Sequence, residues 1–199
     1  MRRPELRCLL KRLSRRDHDK RMELVRAGEL GGGYHPEMER VHRDNAWELD
    51  AIVDRHGWPG RSSVGEKGET WAWMVVQHAI SMPDFQRRML TIIERAARDG
   101  EAPWEHYAKL LDRTRFYEGE PQEYGTNFDW DPYGRLSPTP VRDPENVDER
   151  RAEIGLGPIA RQIEIVRKGA KFQGELPPDD LQDYREQFDA WCRDVGWRQ

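Results

Sequence analysis

Along most of the chain, apolar side chains recur every three or four residues, the period of an α-helix with one buried face. Residues 4–27 place Leu6, Leu10, Leu13 and Leu24 on such a face. "GGG" at 31–33 breaks the pattern, and Pro36 suits the first turn of a second helix running to about His56, with Met38, Val41, Leu49 and Ile52 on its stripe. "GWPGRSS" (57–63) predicts a turn in which Gly57 ends that helix. Further helices are predicted over 66–81, over 82–101 with a stop at Gly100, and over 103–119. Between 120 and 144 prolines, glycines and aromatics replace the helical period. A hairpin through Asp131-Pro132-Tyr133-Gly134 fits the turn chemistry there. Short helices are expected at 145–154 and 158–168, then a linker at 173–180. A last helix over 179–195 is expected to bury Leu181, Tyr184, Phe188 and Trp191, with Cys192 and Val195 alongside. The fold class is therefore mostly α. It reads as a single compact multi-helix domain (1–160) with a short β-hairpin or extended segment near 121–142, and a C-terminal helical extension (161–199) packed on the same domain.

Three of these stripes are interrupted. Asp17 falls among the leucines of the first helix, Asn45 between Val41 and Leu49 on the second. On the third, Trp71, Val75, His78 and Met82 share one face. A polar group on a buried face costs free energy unless it is paired or serves a ligand. Two readings follow: a buried polar network that fixes helix packing, or a pocket. A carboxylate beside an imidazole fixes the tautomer of the ring, the usual preparation of a general base. The same pair also suits metal binding, but His18, His42 and His56 show no matching ligand spacing. No metal and no cofactor is expected.

Composition narrows the class. With 199 residues the chain can bury a core unaided, and eight tryptophans argue against disorder despite 35% charged residues. A net charge of −4 offers no global field to nucleic acid or to an anionic membrane, and neither is expected as a partner. Charge is uneven: residues 1–26 are basic and 175–199 acidic, which suits two solvated helices or, alternatively, a basic arm for an anionic partner. Cys8 and Cys192 form no metal or disulfide pattern. No stretch reads as a signal peptide or a membrane span, so a cytoplasmic location is expected.

Four segments occur in order: "HGWPGRSSVGE" (56–66), "QHA" (77–79), "LLDRTRFYEGEPQEYGTNF" (110–128) and "DPENVDERRAEIGLGPI" (143–159). Over roughly residues 5–160 they resemble a bacterial domain-of-unknown-function family that carries GWPG-S-VG, QHA, DR and Gln-x-Tyr-Gly-Thr motifs. The chain departs from it at Asn127, where the family usually has Gln, and by continuing beyond "PI". The resemblance implies membership without chemistry. It marks Trp58, Arg61, Val64, Gly65, Gln77, His78, Asp112, Arg113, Gln122, Tyr124, Gly125 and Thr126 as motif positions. His78 is thus singled out twice.

The other motifs have plainer readings beside the functional ones. "GWPG" suits a packed aromatic turn. Arg61, Ser62 and Ser63 precede a helix N-terminus able to hold an anion. Asp112 and Arg113 each suit pairing with another segment. Gln122, Tyr124 and Thr126 alternate, and on an extended strand would form a polar wall capping the His78 pocket. Two functions remain. One is a small helical enzyme working by acid–base chemistry (hydrolysis, cyclisation or isomerisation) on a small polar metabolite. His78 is then base or acid, Asp17 orients it and Tyr124 donates a proton, while Asn45, Trp58, Arg61, Gln77, Gln122 and Thr126 bind substrate. The other is a non-catalytic binding or interaction module in which the His78 network is structural; a protein partner or a second copy would then meet the charged terminal helices.

Overall fold

A computed structural model describes residues 2–30 and 33–199; Gly31 and Gly32, two of the three expected chain-breaking glycines, lie outside the described residues. The chain is mostly helical and divides into two compact units, Met1–Pro103 and Trp104–Gln199. No helix among the described residues is long and apolar enough to cross a membrane.

The first unit holds α1 (Pro4–Ala27), α2 (Pro36–His56), α3 (Arg61–His78) and α4 (Pro83–Arg98). The leucines of α1 pack against α2 and α3 together, because the expected stripe Leu6, Leu10, Leu13 and Leu24 is buried on one face. On α2 the buried face is wider than a single stripe. It takes in His42, Ala46 and Val53 beside Met38, Val41, Asn45 and Leu49, as an ordinary surface helix needs two adjacent columns to meet two neighbours. Arg12 and Arg16 both reach Glu48, tying α1 to α2, and Arg88 of α4 pairs with Asp50 and Asp54 of α2.

α3 begins before the expected residue 66, with a helical turn at 61–64. Gly65 then breaks the helical path at φ 77°, ψ 164°, a region open essentially to glycine alone. The regular helix restarts at 66, where the periodicity placed it. It ends at His78, earlier than the expected 81, because Pro83 biases the preceding Met82 away from helix; Met82 has φ −128°, ψ 72°. The buried Gln86 amide donates to the carbonyl of Val76 at 2.6 Å and to that of Gln77 at 3.4 Å, satisfying acceptors freed at this helix end.

The second unit holds α5 (Trp104–Glu118), the antiparallel pair β1 (Phe128–Trp130) and β2 (Leu136–Pro138), then α6 (Val147–Glu153), α7 (Ile159–Gln173) and α8 (Leu181–Asp194). The hairpin register is Phe128 to Pro138, Asp129 to Ser137 and Trp130 to Leu136. Asp131 closes its turn as expected, its Oδ1 accepting the N–H groups of Tyr133 and Arg135. α7 outruns the expected 168 and stops at Gly174, which takes the left-handed cap conformation. α8 is capped by Asp180, whose carboxylate accepts from Gln182 and Asp183 at 2.9 Å. Its expected burial needs correcting. Phe188 and Trp191 are half-buried and Tyr184 stays 37% exposed, whereas Cys192 is wholly buried. Phe188 lies 5.0 Å from Phe116 of α5, and Trp197, just past the helix, stacks on Tyr117 at 5.2 Å. The aromatic seam is thus completed by a residue beyond the helical period.

Candidate functional site

Asp17 sits mid-way along α1, buried to 8% exposure by the leucines on either side. Its Oδ2 lies 2.5 Å from His78 Nδ1 at the end of α3. The expected pairing of these two residues is therefore present. The third member of the cluster is His42 of α2, whose Nε2 is 3.6 Å from the same oxygen. The two rings are tilted at 45° with centroids 5.0 Å apart. Behind His42 stands Tyr34, stacked on the ring at 5.6 Å, its hydroxyl 2.7 Å from Nδ1 and 3.3 Å from the His78 carbonyl, to which it donates.

Electrostatics follow from this placement. Burial alone would raise the Asp17 carboxyl, but the two imidazoles, His42 and His78, outweigh it and hold the group well below the usual carboxylate range. Asp17 is an anion at neutral pH. His78 keeps about a third of its side chain in solvent, against roughly a tenth for Asp17 and His42. The cluster therefore opens on the His78 side.

Asn45 does not join it by any hydrogen bond. Its Nδ2 donates to the Leu13 carbonyl at 3.1 Å, one turn before Asp17. It bridges α1 and α2, and His42, three residues earlier on the same buried face, takes the place expected of it. Gln77 is buried, but adjacency in sequence turns it about 100° round the helix from His78. Trp58 lines a different feature, a cleft of about 200 Å³ with Arg3, His56 and Glu101; there His56 Nδ1 is 2.7 Å from Arg3 Nη1. The Arg61 N–H donates to the Glu101 carbonyl and the Ser62 N–H to the Glu101 carboxylate at 2.9 Å. The anion expected at this helix start is the protein's own Glu101, and hydrogen bonding from Ser62 lowers its carboxyl.

The remaining expected residues belong to the second unit. Residues 122–127 are not an extended strand. They wrap round the buried Asp112, whose carboxylate accepts the N–H groups of Glu123, Tyr124 and Thr126 and the Thr126 hydroxyl, all between 2.8 and 3.1 Å. Burial nonetheless pushes the Asp112 carboxyl up. Gln122 is fully buried. Its amide donates to the carbonyls of Asn127 and Thr139 and accepts from the Asn127 N–H. Tyr124 offers its carbonyl to Arg151 at 2.6 Å. These positions build a loop.

Sequence reasoning missed His42 and Tyr34. His42 was legible as the residue at i+4 from Met38 and i−3 from Asn45 on α2. Tyr34 lies in the loop before that helix, where no periodicity speaks.

No curated protein and no solved structure matches the chain. The model of DUF6624, a family of unknown function, matches residues 6–173. The match runs past the expected limit near residue 160 and takes in α7. Covering most of the sequence, it makes the chain a member of that family.

Proposed function

We propose that the protein is a small acid–base enzyme acting on a small polar metabolite at the open side of the Asp17–His42–His78 cluster, by hydrolysis, cyclisation or isomerisation. The observation that supports it is the 2.5 Å contact between a buried carboxylate and an imidazole that remains about a third exposed. Asp17 holds the proton on Nδ1 and leaves Nε2 to exchange one with substrate or with water. When Nε2 takes a proton the ring becomes cationic, and Asp17 carries the compensating charge until the proton returns to product. A reducing cytoplasm suits the two free thiols, Cys8 and Cys192.

The test is thermal-shift screening of polar metabolites against wild type, His78→Gln and Asp17→Asn. Ligands that raise the melting temperature of wild type should leave both variants unmoved. Ligands that stabilise all three proteins equally would sink the proposal. The competing reading, a module in which the cluster is structural, is favoured by the way the cluster joins three helices. It requires His78→Gln to cost about 1–3 kcal/mol of stability and no ligand to act through the site.

A further inference from the structure

The groups around His42 balance only if its ring carries a second proton or a metal ion stands beside it. The Tyr34 hydroxyl has one proton and gives it to the His78 carbonyl at 3.3 Å, since that carbonyl has none to give. At 2.7 Å from the same hydroxyl, His42 Nδ1 must then be the donor. In the neutral ring this leaves Nε2 with a bare lone pair. That nitrogen is buried, has no hydrogen-bond partner among the described residues, and faces the Asp17 carboxylate oxygen at 3.6 Å. Two acceptors aimed at one point repel unless a ring proton or a metal ion lies between them, and the same geometry that admits the proton admits the ion.

We propose that Asp17 Oδ2, His42 Nε2 and His78 Nδ1 are the protein ligands of one divalent first-row transition-metal ion of the zinc, cobalt or iron(II) kind. The three donor atoms lie within 4.8 Å of one another. They come from three helices, so the ligand set is fixed by the packing of the first unit. One carboxylate and two imidazoles suit a borderline ion and not calcium or magnesium, which take oxygen. Tyr34 supplies the outer hydrogen bond that fixes the tautomer of a ligating histidine. Three protein ligands leave a coordination position for water or substrate, the pattern of catalytic sites. Ligation lengthens the Asp17–His78 contact, because ligands about 2.0–2.1 Å from zinc stand about 3.3 Å apart. His78, at the end of its helix and part-exposed, is the side chain free to give way. The proton shared by Asp17 and His78 leaves to solvent as the ion enters. The inference goes beyond the reaction proposed above, because binding is measurable whether or not the site turns anything over. With an ion in place, the proton-exchanging group there becomes the water held on it.

The experiment uses the full, untagged chain stripped with chelator. Zinc titration by calorimetry should give one site, and cobalt should give the visible absorption of a four- or five-coordinate ion. His42→Gln should weaken zinc binding by at least about 100-fold, Tyr34→Phe by about 10-fold, and the exposed His18→Gln not at all. Circular dichroism establishes that each variant is folded. Should His42→Gln not fold, imidazole nitrogen-15 spectra of wild type decide alone: zinc must shift His42 Nε2 and His78 Nδ1. Zinc that shifts other nitrogens, binds His42→Gln as tightly as wild type, or fails to bind wild type overturns the inference. Failure of metal binding with a ligand response still lost in His78→Gln overturns this inference only. Metal bound at the cluster with ligand responses unchanged in that variant overturns the acid–base proposal only.

Discussion

Single residues carry more than their motifs suggest. Asp112 gathers four donors from a six-residue loop, so Asp112→Asn turns one acceptor oxygen into a donor facing Thr126. The urea midpoint should fall with unchanged slope, a loss of about 2 kcal/mol. The cysteines divide in the same spirit. Cys8 is exposed, whereas burial pushes the Cys192 thiol up to about 11. One equivalent of a thiol reagent should be consumed by the native protein and a second only in denaturant; two fast equivalents would contradict the packing of α8. Residues that broke an apolar stripe, such as Asp17 and His78, were legible because a helix announces its buried face by period. His42 escaped because a one-residue-wide stripe is narrower than the face that three packed helices bury.

Elements were legible wherever a period or a punctuating residue spoke. The start of the regular part of α3 at residue 66 follows from Gly65, and the hairpin from Asp131–Gly134, whereas the loop at 122–127 was misread because alternation mimics a strand when a distant carboxylate organises the backbone instead. Gly125 shows how tight that loop is. Its φ is +65°, and an added Cβ would stand 2.5 Å from Ile159 Cδ1. Gly125→Ala should destabilise by about 2–3 kcal/mol, and Ile159→Val in the same chain should restore part of it, since it removes the clashing methyl but not the backbone strain. α8 adds an alkaline signature. Burial, then the charge of Asp129, push the Tyr184 phenol up to about 12 from 10.0. A raised value favours the neutral form in the fold, so this stability is intact below pH 10 and declines between pH 10 and about 12. Tyr184→Phe should flatten that part of the melting-temperature profile. An identical profile would remove the Tyr184–Asp129 hydrogen bond from consideration.

Across the whole molecule, the segments that suggested the family divide by task. "QHA" names a residue of the polar cluster, which α1, α2, α3 and the loop before α2 assemble within the first unit. "QEYGT" names backbone scaffolding in the second. Gln122→Ala should therefore lower the melting temperature while leaving zinc binding unchanged, the reverse of Tyr34→Phe; loss of zinc binding in the Gln122 variant would join the two tasks again. Asp17 and His42 stand in mid-helix with turns on both sides, whereas His78 is the last residue of its helix, backed on one side only. That asymmetry gives the three side chains different freedom. For an ion bound as inferred above, Asp17 and His42 fix where it sits, and His78 is the ligand that turns to meet it. Loosening the turn at 79–82 would weaken binding as well as hasten release, because the ion would then have to order His78 before using it.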